Sequence, residues 1–201
     1  RSTVYTIPVV VHIVYNTPEE NLPDSVIFNQ IARLNEDYRR LNADTTNLRD
    51  TFNTIAGDAY IEFQLAMFDP NGNPTSGITR TYTAQTSFFG VGGTPAEGVK
   101  SDADGGVDPW DQSRYLNIWV CDMSLFGLPF LLGYATPPAD LPHWPAGSTD
   151  GMSDGVVIQY QAFGSNNPNP LDLGGGPVEV VGRTTVHEVG HYLGLRHIWG
   201  D

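Results

Sequence analysis

Three histidines and one glutamate fall within eleven residues near the end of the 201-residue sequence, in the pattern His-Glu-x-x-His-x-x-Gly-x-x-His. Side chains four positions apart lie on one face of an α-helix, so His187 and His191 can direct both imidazoles at one metal ion. Gly194 permits a positive φ, which ends the helix and lets His197 supply a third nitrogen. Three neutral nitrogens leave one position of a tetrahedral zinc ion for water, as catalytic zinc sites do. Glu188, beside the histidine pair, is placed to act on that water.

Other roles are open to these residue types. The spacing from Thr185 to Glu188 fits a capping box, in which the carboxylate would only cap the helix. A helix that begins near Gly182 places Glu188 beyond the first turn, so we favour the catalytic interpretation. The two histidines outside the motif are His12, in an apolar segment, and His143, in a proline-flanked loop. Both are expected to be ordinary structural histidines.

The composition excludes several classes of function. The sequence has 23 acidic and 10 basic residues and a net charge of −13, so it offers no basic stripe for nucleic acid or an anionic membrane surface. No apolar run approaches the ~20 residues of a membrane-spanning helix. Cys121 is the one cysteine, which excludes an internal disulfide, and we expect a buried, inert thiol. An acidic, lysine-poor and thiol-poor composition favours a secreted protein.

The remaining sequence predicts an α+β fold, with a mixed five-stranded sheet and two long helices. Apolar and β-branched runs predict strands at residues 4–15, 61–68, 115–121, 131–135 and 155–160. Asp24 or Ser25 can cap a helix whose apolar positions repeat as far as Leu41, and this helix is expected to lie on the sheet. A second helix, starting near Gly182, carries the histidine motif. Residues 73–110 are predicted to be mostly loop.

The sequence is similar to the pappalysin (cytophagalysin-like) family of metzincin zinc peptidases. Residues 182–201 carry the resemblance, and it extends to 108–111, 115–121, 132–135 and 154–158. It implies a secreted endopeptidase, made as a zymogen, whose upper subdomain holds a twisted five-stranded sheet, a backing helix and an active-site helix. In such an enzyme the three motif histidines bind zinc. Glu188 is the general base, which takes a proton from the zinc-activated water and later delivers it to the leaving amine.

The resemblance also assigns substrate binding to an edge strand, which maps onto Leu132, Gly133, Tyr134 and Ala135. A short edge strand with a glycine offers backbone groups and little side-chain bulk, which suits antiparallel addition of an extended peptide. Alternatively, Gly133 only relieves a bend. Members of the family often cut next to basic residues, and the negative charge of this chain favours positively charged protein or peptide substrates.

Metzincins carry a methionine turn and a lower subdomain downstream of the zinc motif, whereas Met67, Met123 and Met152 all precede it here. We therefore expect residues 1–201 to form an upper subdomain without the lower one, and full proteolytic activity to require the missing part. Two functions stay open: a zinc-dependent endopeptidase, or a non-catalytic zinc-binding fragment of such an enzyme. A metallohydrolase that acts on a non-peptide amide is a more distant alternative, which the edge strand disfavours.

The acidic segment 102–108 imitates the start of a calcium-binding loop. The twelfth position of such a loop carries an acidic ligand, but Ser113 occupies it here, so we expect a solvated acidic turn. The family resemblance implies a structural Ca²⁺ site that would lie mostly beyond residue 201.

Overall fold

The computed structural model of the chain describes residues 3–89, 97–139, 141–145, 147, 149 and 151–197. Its strands are β1 (Tyr5–Tyr15), β2 (Ile61–Leu65), β3 (Ile78–Tyr82), β4 (Leu116–Cys121), β5 (Gly133–Ala135), β6 (Val156–Gln159), β7 (Leu171–Asp172) and β8 (Pro177–Val178). Its α-helices are α1 (Asp24–Tyr38), the short α2 (Asp50–Asn53) and α3 (Arg183–Tyr192). None of the helices in this described part is long and apolar enough to cross a membrane.

The main sheet has the strand order β2-β1-β4-β6-β5, and β3 also pairs with β1. The pairs that β1 makes with β2, β3 and β4 are parallel, as is the pair of β4 with β6. β5 runs antiparallel to β6 and forms one edge of the sheet. The predicted mixed sheet with two long helices is therefore confirmed, and all five predicted strands are present.

β3 corrects the sequence prediction, which assigned residues 73–110 mostly to loop and counted five strands in the sheet. Its five residues, Ile-Thr-Arg-Thr-Tyr, are too few and too polar to give a clear strand pattern. The strand is defined by its partner instead. β2 pairs with β1 only from Tyr5 to Val9, so the backbone groups from Val11 to Tyr15 need another neighbour, which β3 supplies.

One face of the sheet is covered by α1 and α3. The buried apolar stripe of α1 consists of Val26, Ile27, Ile31 and Leu34. This stripe joins the core formed by the inward side chains of β1, β4 and β6, to which α3 adds Val189. The helix ends at Tyr38 rather than at the predicted Leu41, because Arg40 has a φ of 51°, which a right-handed helix cannot contain.

Two side chains of α1 hold the beginning of α3 in place. Gln30 is buried; its Nε2 donates to the Gly182 carbonyl at 2.9 Å, and its Oε1 accepts from the Gly164 amide at 2.7 Å. The Tyr38 hydroxyl donates to the Val186 carbonyl at 3.2 Å. Because Gly182 precedes α3 and Val186 lies in its first turn, these bonds determine where the helix starts relative to the sheet.

The opposite face of the sheet holds a second core around Trp119. Lys100, the one lysine of the chain, is buried here, with its Nζ 5.7 Å from the Trp119 ring and 5.1 Å from the Tyr134 ring. Its charge is balanced by Glu97, whose Oε2 lies 3.3 Å away. Cys121 is buried in the same core, and this burial raises the pKa of its thiol. The expected inert thiol is confirmed.

His12 is a core histidine, as predicted. Its Nε2 lies 3.0 Å from Asn117 Oδ1, which can only accept, so Nε2 carries the hydrogen. Its Nδ1 then accepts from the Thr79 hydroxyl at 2.8 Å. A neutral imidazole therefore satisfies both contacts and links β3, β1 and β4.

We expect His12 to make the protein less stable as the pH falls. Burial lowers the pKa of His12 from 6.5 to about 4. Between these two pH values, His12 is protonated in the unfolded chain but neutral in the native protein. The free energy of unfolding should therefore fall between pH 6.5 and 4, by up to about 1.4 kcal/mol per pH unit from this residue. Urea denaturation of the wild type and His12→Gln across this range measures the effect. Equal slopes in the two proteins would contradict the prediction.

Candidate metal centre

A glycine before α3 and ion pairs at its first residue determine the position of the helix that carries the motif. Gly182, with a φ of 73°, directs the chain into α3, and its carbonyl is the one that α1 holds. The first residue of the helix, Arg183, pairs with Asp37 at 3.1 Å and with Asp44 at 2.6 Å. The buried side of α3 includes Glu188 and Val189, so the two motif histidines of the helix lie beside the core rather than within it.

The three motif histidines converge on one point. His187 Nε2 lies 2.9 Å from His191 Nε2 and 3.2 Å from His197 Nε2, and the last two nitrogens are 3.1 Å apart. Nitrogens bound to a tetrahedral zinc ion at 2.0–2.1 Å lie about 3.3–3.4 Å from one another, so the triangle is close to the required size. Each imidazole nitrogen carries either one hydrogen or one lone pair, so three of them cannot satisfy one another. The arrangement suits a shared cation.

The protonation of these rings also suits a metal ion. His191 Nδ1 lies 2.7 Å from the Leu195 carbonyl, so this nitrogen donates, and the lone pair of the ring is on Nε2. Burial, and then the neighbouring imidazoles, lower the pKa of His187 and favour its neutral, ligating form. Across the described ranges, these three histidines are the one group of His, Cys, Asp and Glu side chains close enough together to hold a metal ion.

The turn after α3 brings the third histidine to the other two. Gly194 has a φ of 94°, which confirms the predicted role of this glycine in ending the helix. A Cβ added there would also lie 2.7 Å from Leu141 Cδ1, so both conformation and space require glycine. The Leu195 amide then donates to the Gly190 carbonyl at 2.9 Å. The chain thus turns back within three residues and presents His197.

A segment from a distant part of the chain holds this turn. His143 Nε2, at 2.8 Å, and Trp144 Nε1, at 3.0 Å, both donate to the Gly194 carbonyl. Arg196 Nη1 donates to the His143 carbonyl at 2.5 Å, and the Trp144 ring lies edge-on to the His191 ring with centroids 6.0 Å apart. His143 is structural, as predicted. No local sequence pattern predicts this contact, because some 50 residues separate the donors from the carbonyl that they share.

We expect Trp144→Phe to weaken zinc binding. Phenylalanine keeps an aromatic six-membered ring but removes the N–H that donates to the Gly194 carbonyl, so the turn that carries His197 is held less firmly. Loss of groups that orient metal ligands lowers affinity about 10- to 100-fold. Competition with a chromophoric chelator measures the zinc Kd. Trp110→Phe, in the aromatic cluster with Tyr115, is the matched control and should leave Kd unchanged. Equal Kd values for the two variants would show that the indole N–H has no such role.

Glu188 lies in a different environment from the histidines. It is 8% exposed, and burial raises the pKa of its carboxyl to about 7. The helix begins at Arg183, and no side chain caps its first turn. Glu188 is therefore in the second turn, and the capping-box alternative is wrong because the helix starts too early for it.

The edge strand passes directly beside Glu188. A Cβ added to Gly133 would lie 2.8 Å from Glu188 Cγ and 3.0 Å from Ile158 Cδ1. The glycine is thus required by the close approach of β5 to α3, and relief of a bend is not needed to explain it. Tyr134 is buried on the opposite face, and Leu132 and Ala135 pack against the main core. All four residues predicted to bind substrate lie within or next to β5, at one edge of the sheet, and the Leu132 carbonyl already accepts from the Gln159 amide of β6.

The histidine cluster is open on one side. A pocket of about 420 Å³ borders it, with Tyr38, Val186, Gly190 and Leu195 among its lining residues. Structural zinc sites are closed by four protein ligands, whereas catalytic sites keep an accessible position. Three histidines beside an open pocket could form a site of the second kind.

The acidic segment 102–108 forms internal hydrogen bonds. The Asp102 amide donates to Asp108 Oδ1 at 2.9 Å, and the Asp108 amide donates to Asp102 Oδ1 at 3.0 Å. These reciprocal bonds close an exposed turn. The Ca²⁺ site implied by the family resemblance stays a prediction.

No protein-family model and no curated protein matches the chain. Among solved structures, it is similar to mature mirolysin of Tannerella forsythia in complex with a cleaved peptide, with 46% identity and a TM-score of 0.82 over all of this chain and 67% of that one. A structure of mirolysin in complex with compound 9 gives 46% identity and a TM-score of 0.81 over the same shares of the two chains. A promirolysin mutant gives 45% and 0.82, over all of this chain and 59% of that one.

A mostly parallel sheet with one antiparallel edge strand, and a helix that carries three converging histidines and a buried glutamate, define a metzincin-type metallopeptidase fold. The identity of 46% extends over the whole of this chain and about two thirds of mature mirolysin. The chain therefore belongs to the pappalysin family of metzincin metallopeptidases.

Proposed function

We propose that this chain is the zinc-binding part of an endopeptidase that hydrolyses peptide bonds, with His187, His191 and His197 as the zinc ligands and Glu188 as the general base. The observation that carries the proposal is the convergence of three imidazole nitrogens within 3.2 Å of one another. The accessible pocket beside them supports catalysis rather than a purely structural ion.

The residues of the site divide the chemistry between them. When bound, zinc supplies Lewis-acid activation of a water molecule and polarisation of the scissile carbonyl. A carboxylate oxygen of Glu188 accepts a proton from the attacking water and later donates it to the leaving amine nitrogen. A carboxyl whose pKa is raised to about 7 is suited to both steps near neutral pH. Gly133, with no side chain, leaves room for that carboxyl beside the substrate strand.

The proposed substrate is an extended protein or peptide segment that pairs antiparallel with the outer edge of β5, along Leu132, Gly133, Tyr134 and Ala135. Support comes from the position of β5 at the edge of the sheet and beside Glu188. A solved mirolysin structure holds a cleaved peptide, which is consistent with this use of the fold. The net charge of −13 favours substrates with basic residues near the cleaved bond.

Two further proposals, on secretion and on synthesis as a zymogen, come from membership of the family. We propose secretion, supported by the acidic, thiol-poor composition, and synthesis as a zymogen, supported by the existence of promirolysin among the similar structures. Mass spectrometry of the secreted and intracellular forms in the native organism tests both at once.

We expect Gly133→Ala to reduce turnover without affecting zinc binding. The new methyl group would meet Glu188 Cγ at 2.8 Å and displace the general base, while the histidines are untouched. A misplacement of about 1 Å in a catalytic group can reduce the rate by about 100-fold. The readouts are kcat on a fluorogenic peptide and the zinc Kd. Gly175→Ala is the control, because that position is open and its φ is not in the left-handed region. An unchanged kcat in Gly133→Ala would mean that the contact does not position Glu188.

The proposal is tested with a panel of internally quenched peptides, on the 201-residue chain with and without the C-terminal lower subdomain that the family resemblance implies. Cleavage that stops with 1,10-phenanthroline and returns with added zinc supports it. Zinc binding with no cleavage of any peptide in either form favours the alternative, a non-catalytic zinc-binding fragment. Hydrolysis of simple amides but not of peptides favours a metallohydrolase of another kind. Failure to bind zinc contradicts all three.

A further inference from the structure

A second pocket lies where β5 and α3 both end. It has a volume of about 580 Å³, and one wall is formed by Pro137 and Pro138, which follow β5 closely. Leu193, just after α3, and Met152 add further apolar surface. The pocket is therefore largely apolar, and it lies where the edge strand and the helix end.

One carboxyl group lies among these apolar side chains. Asp154 is half-buried, lines the pocket, and accepts a hydrogen bond from the Tyr192 hydroxyl. The nearest cation, Lys100, pairs with Glu97 and donates to the Ser153 carbonyl at 2.6 Å. Within the part of the chain that the structure describes, Asp154 forms no ion pair. Burial raises the pKa of Asp154, while the Gly155 amide and the charge of Lys100 act in the opposite direction, so the carboxylate is partly desolvated.

The position of the pocket along the cleft follows from the strand register. Gly133 lies beside Glu188, and Thr136, which also lines the pocket, is three residues further along. At about 3.3 Å per residue, the pocket begins some 10 Å from the proposed general base. A peptide antiparallel to β5 passes Thr136 before it reaches Gly133. The pocket would therefore face residues on the N-terminal side of the cleaved bond.

We propose that this pocket binds a basic side chain, arginine or lysine, two or three residues before the scissile bond. The apolar stem lies on Pro137, Pro138 and Leu193, and the cationic head pairs with Asp154. Arginine and lysine combine such a stem with a charged end, which matches apolar walls around one carboxylate. This inference rests on the proposed peptidase function and adds a substrate class to it.

The test compares peptides that have arginine or citrulline at the second or at the third position before the cleaved bond. Citrulline has nearly the same shape as arginine but no charge. We expect kcat/KM of the wild type to be about tenfold or more higher for arginine at one of these positions, as for a hydrogen bond between charged groups. Asp154→Asn should reduce this ratio to near one. Asp154→Glu should restore part of the preference.

Asp50→Asn is the control for net charge, because it removes one exposed carboxylate in α2, outside the pocket. It should keep the wild-type ratio. Binding of the same peptides to the zinc-loaded Glu188→Ala chain, followed by fluorescence anisotropy, repeats the comparison without turnover. Loss of all hydrolysis with a retained arginine preference in binding would contradict the proposed function alone. Equal kcat/KM values of the wild type for arginine and citrulline peptides would overturn the proposal that this pocket binds a basic side chain. An unchanged ratio in Asp154→Asn would do the same.

Discussion

Replacing Glu188 with glutamine should reduce peptide hydrolysis by about 10²- to 10⁴-fold while zinc binding stays at the wild-type level. Glutamine has nearly the same shape, so it fits the space beside Gly133, but it cannot take up the proton of the attacking water. The site is buried enough for this difference to matter, because Glu188 is 8% exposed and little bulk water can replace it. Zinc affinity should not change, since the histidine nitrogens form the cluster without Glu188.

The measurements are kcat/KM on a fluorogenic peptide and the zinc Kd from chelator competition. Glu179→Gln, an exposed glutamate in the segment before α3, is the matched control and should behave as the wild type in both. A Glu188→Gln protein that cleaves at the wild-type rate would refute the general-base role. A variant that also loses zinc would assign Glu188 to the metal site instead.

The second large effect is expected from His191→Ala, which should remove the stabilisation that zinc confers. For the wild type, free zinc at 100 times Kd should raise the free energy of unfolding by about 2.7 kcal/mol. In His191→Ala only two of the three converging nitrogens are left. The hydrogen bond from His191 to the Leu195 carbonyl, in the turn that carries His197, is lost as well. We expect zinc affinity to fall by well over 100-fold, beyond the effect of losing a group that only orients a ligand.

Thermal and urea denaturation with and without zinc measure this prediction. His187→Ala separates the two causes, because it removes a ligand and leaves the contact of His191 with Leu195 in place. Both variants should lose the zinc-dependent shift, whereas Glu188→Gln should keep it. A full shift in His191→Ala would mean that the ion is held elsewhere.

Short-range sequence patterns were enough to predict that three histidines would come together. His187 and His191 are one helical turn apart, and His197 follows through a glycine turn, so the geometry depends on about ten consecutive residues. The same is true of α1 and of the long, continuously apolar β1. β3 was missed because its residues have no strong strand pattern, and only the unpaired half of β1 explains why they form one.

What the sequence alone determined is the chemistry of the site: three imidazoles and one carboxylate on a helix and its turn, and through them the family. What the tertiary structure decided is how that site is bounded. The approach of Gly133 to Glu188, the hold of His143 and Trp144 on the Gly194 carbonyl, and the Asp154 pocket each join residues tens of positions apart. Helix periodicity is a local property of the chain, whereas these contacts depend on the order in which the strands pair and on how α3 packs beneath them, which no short stretch of sequence encodes.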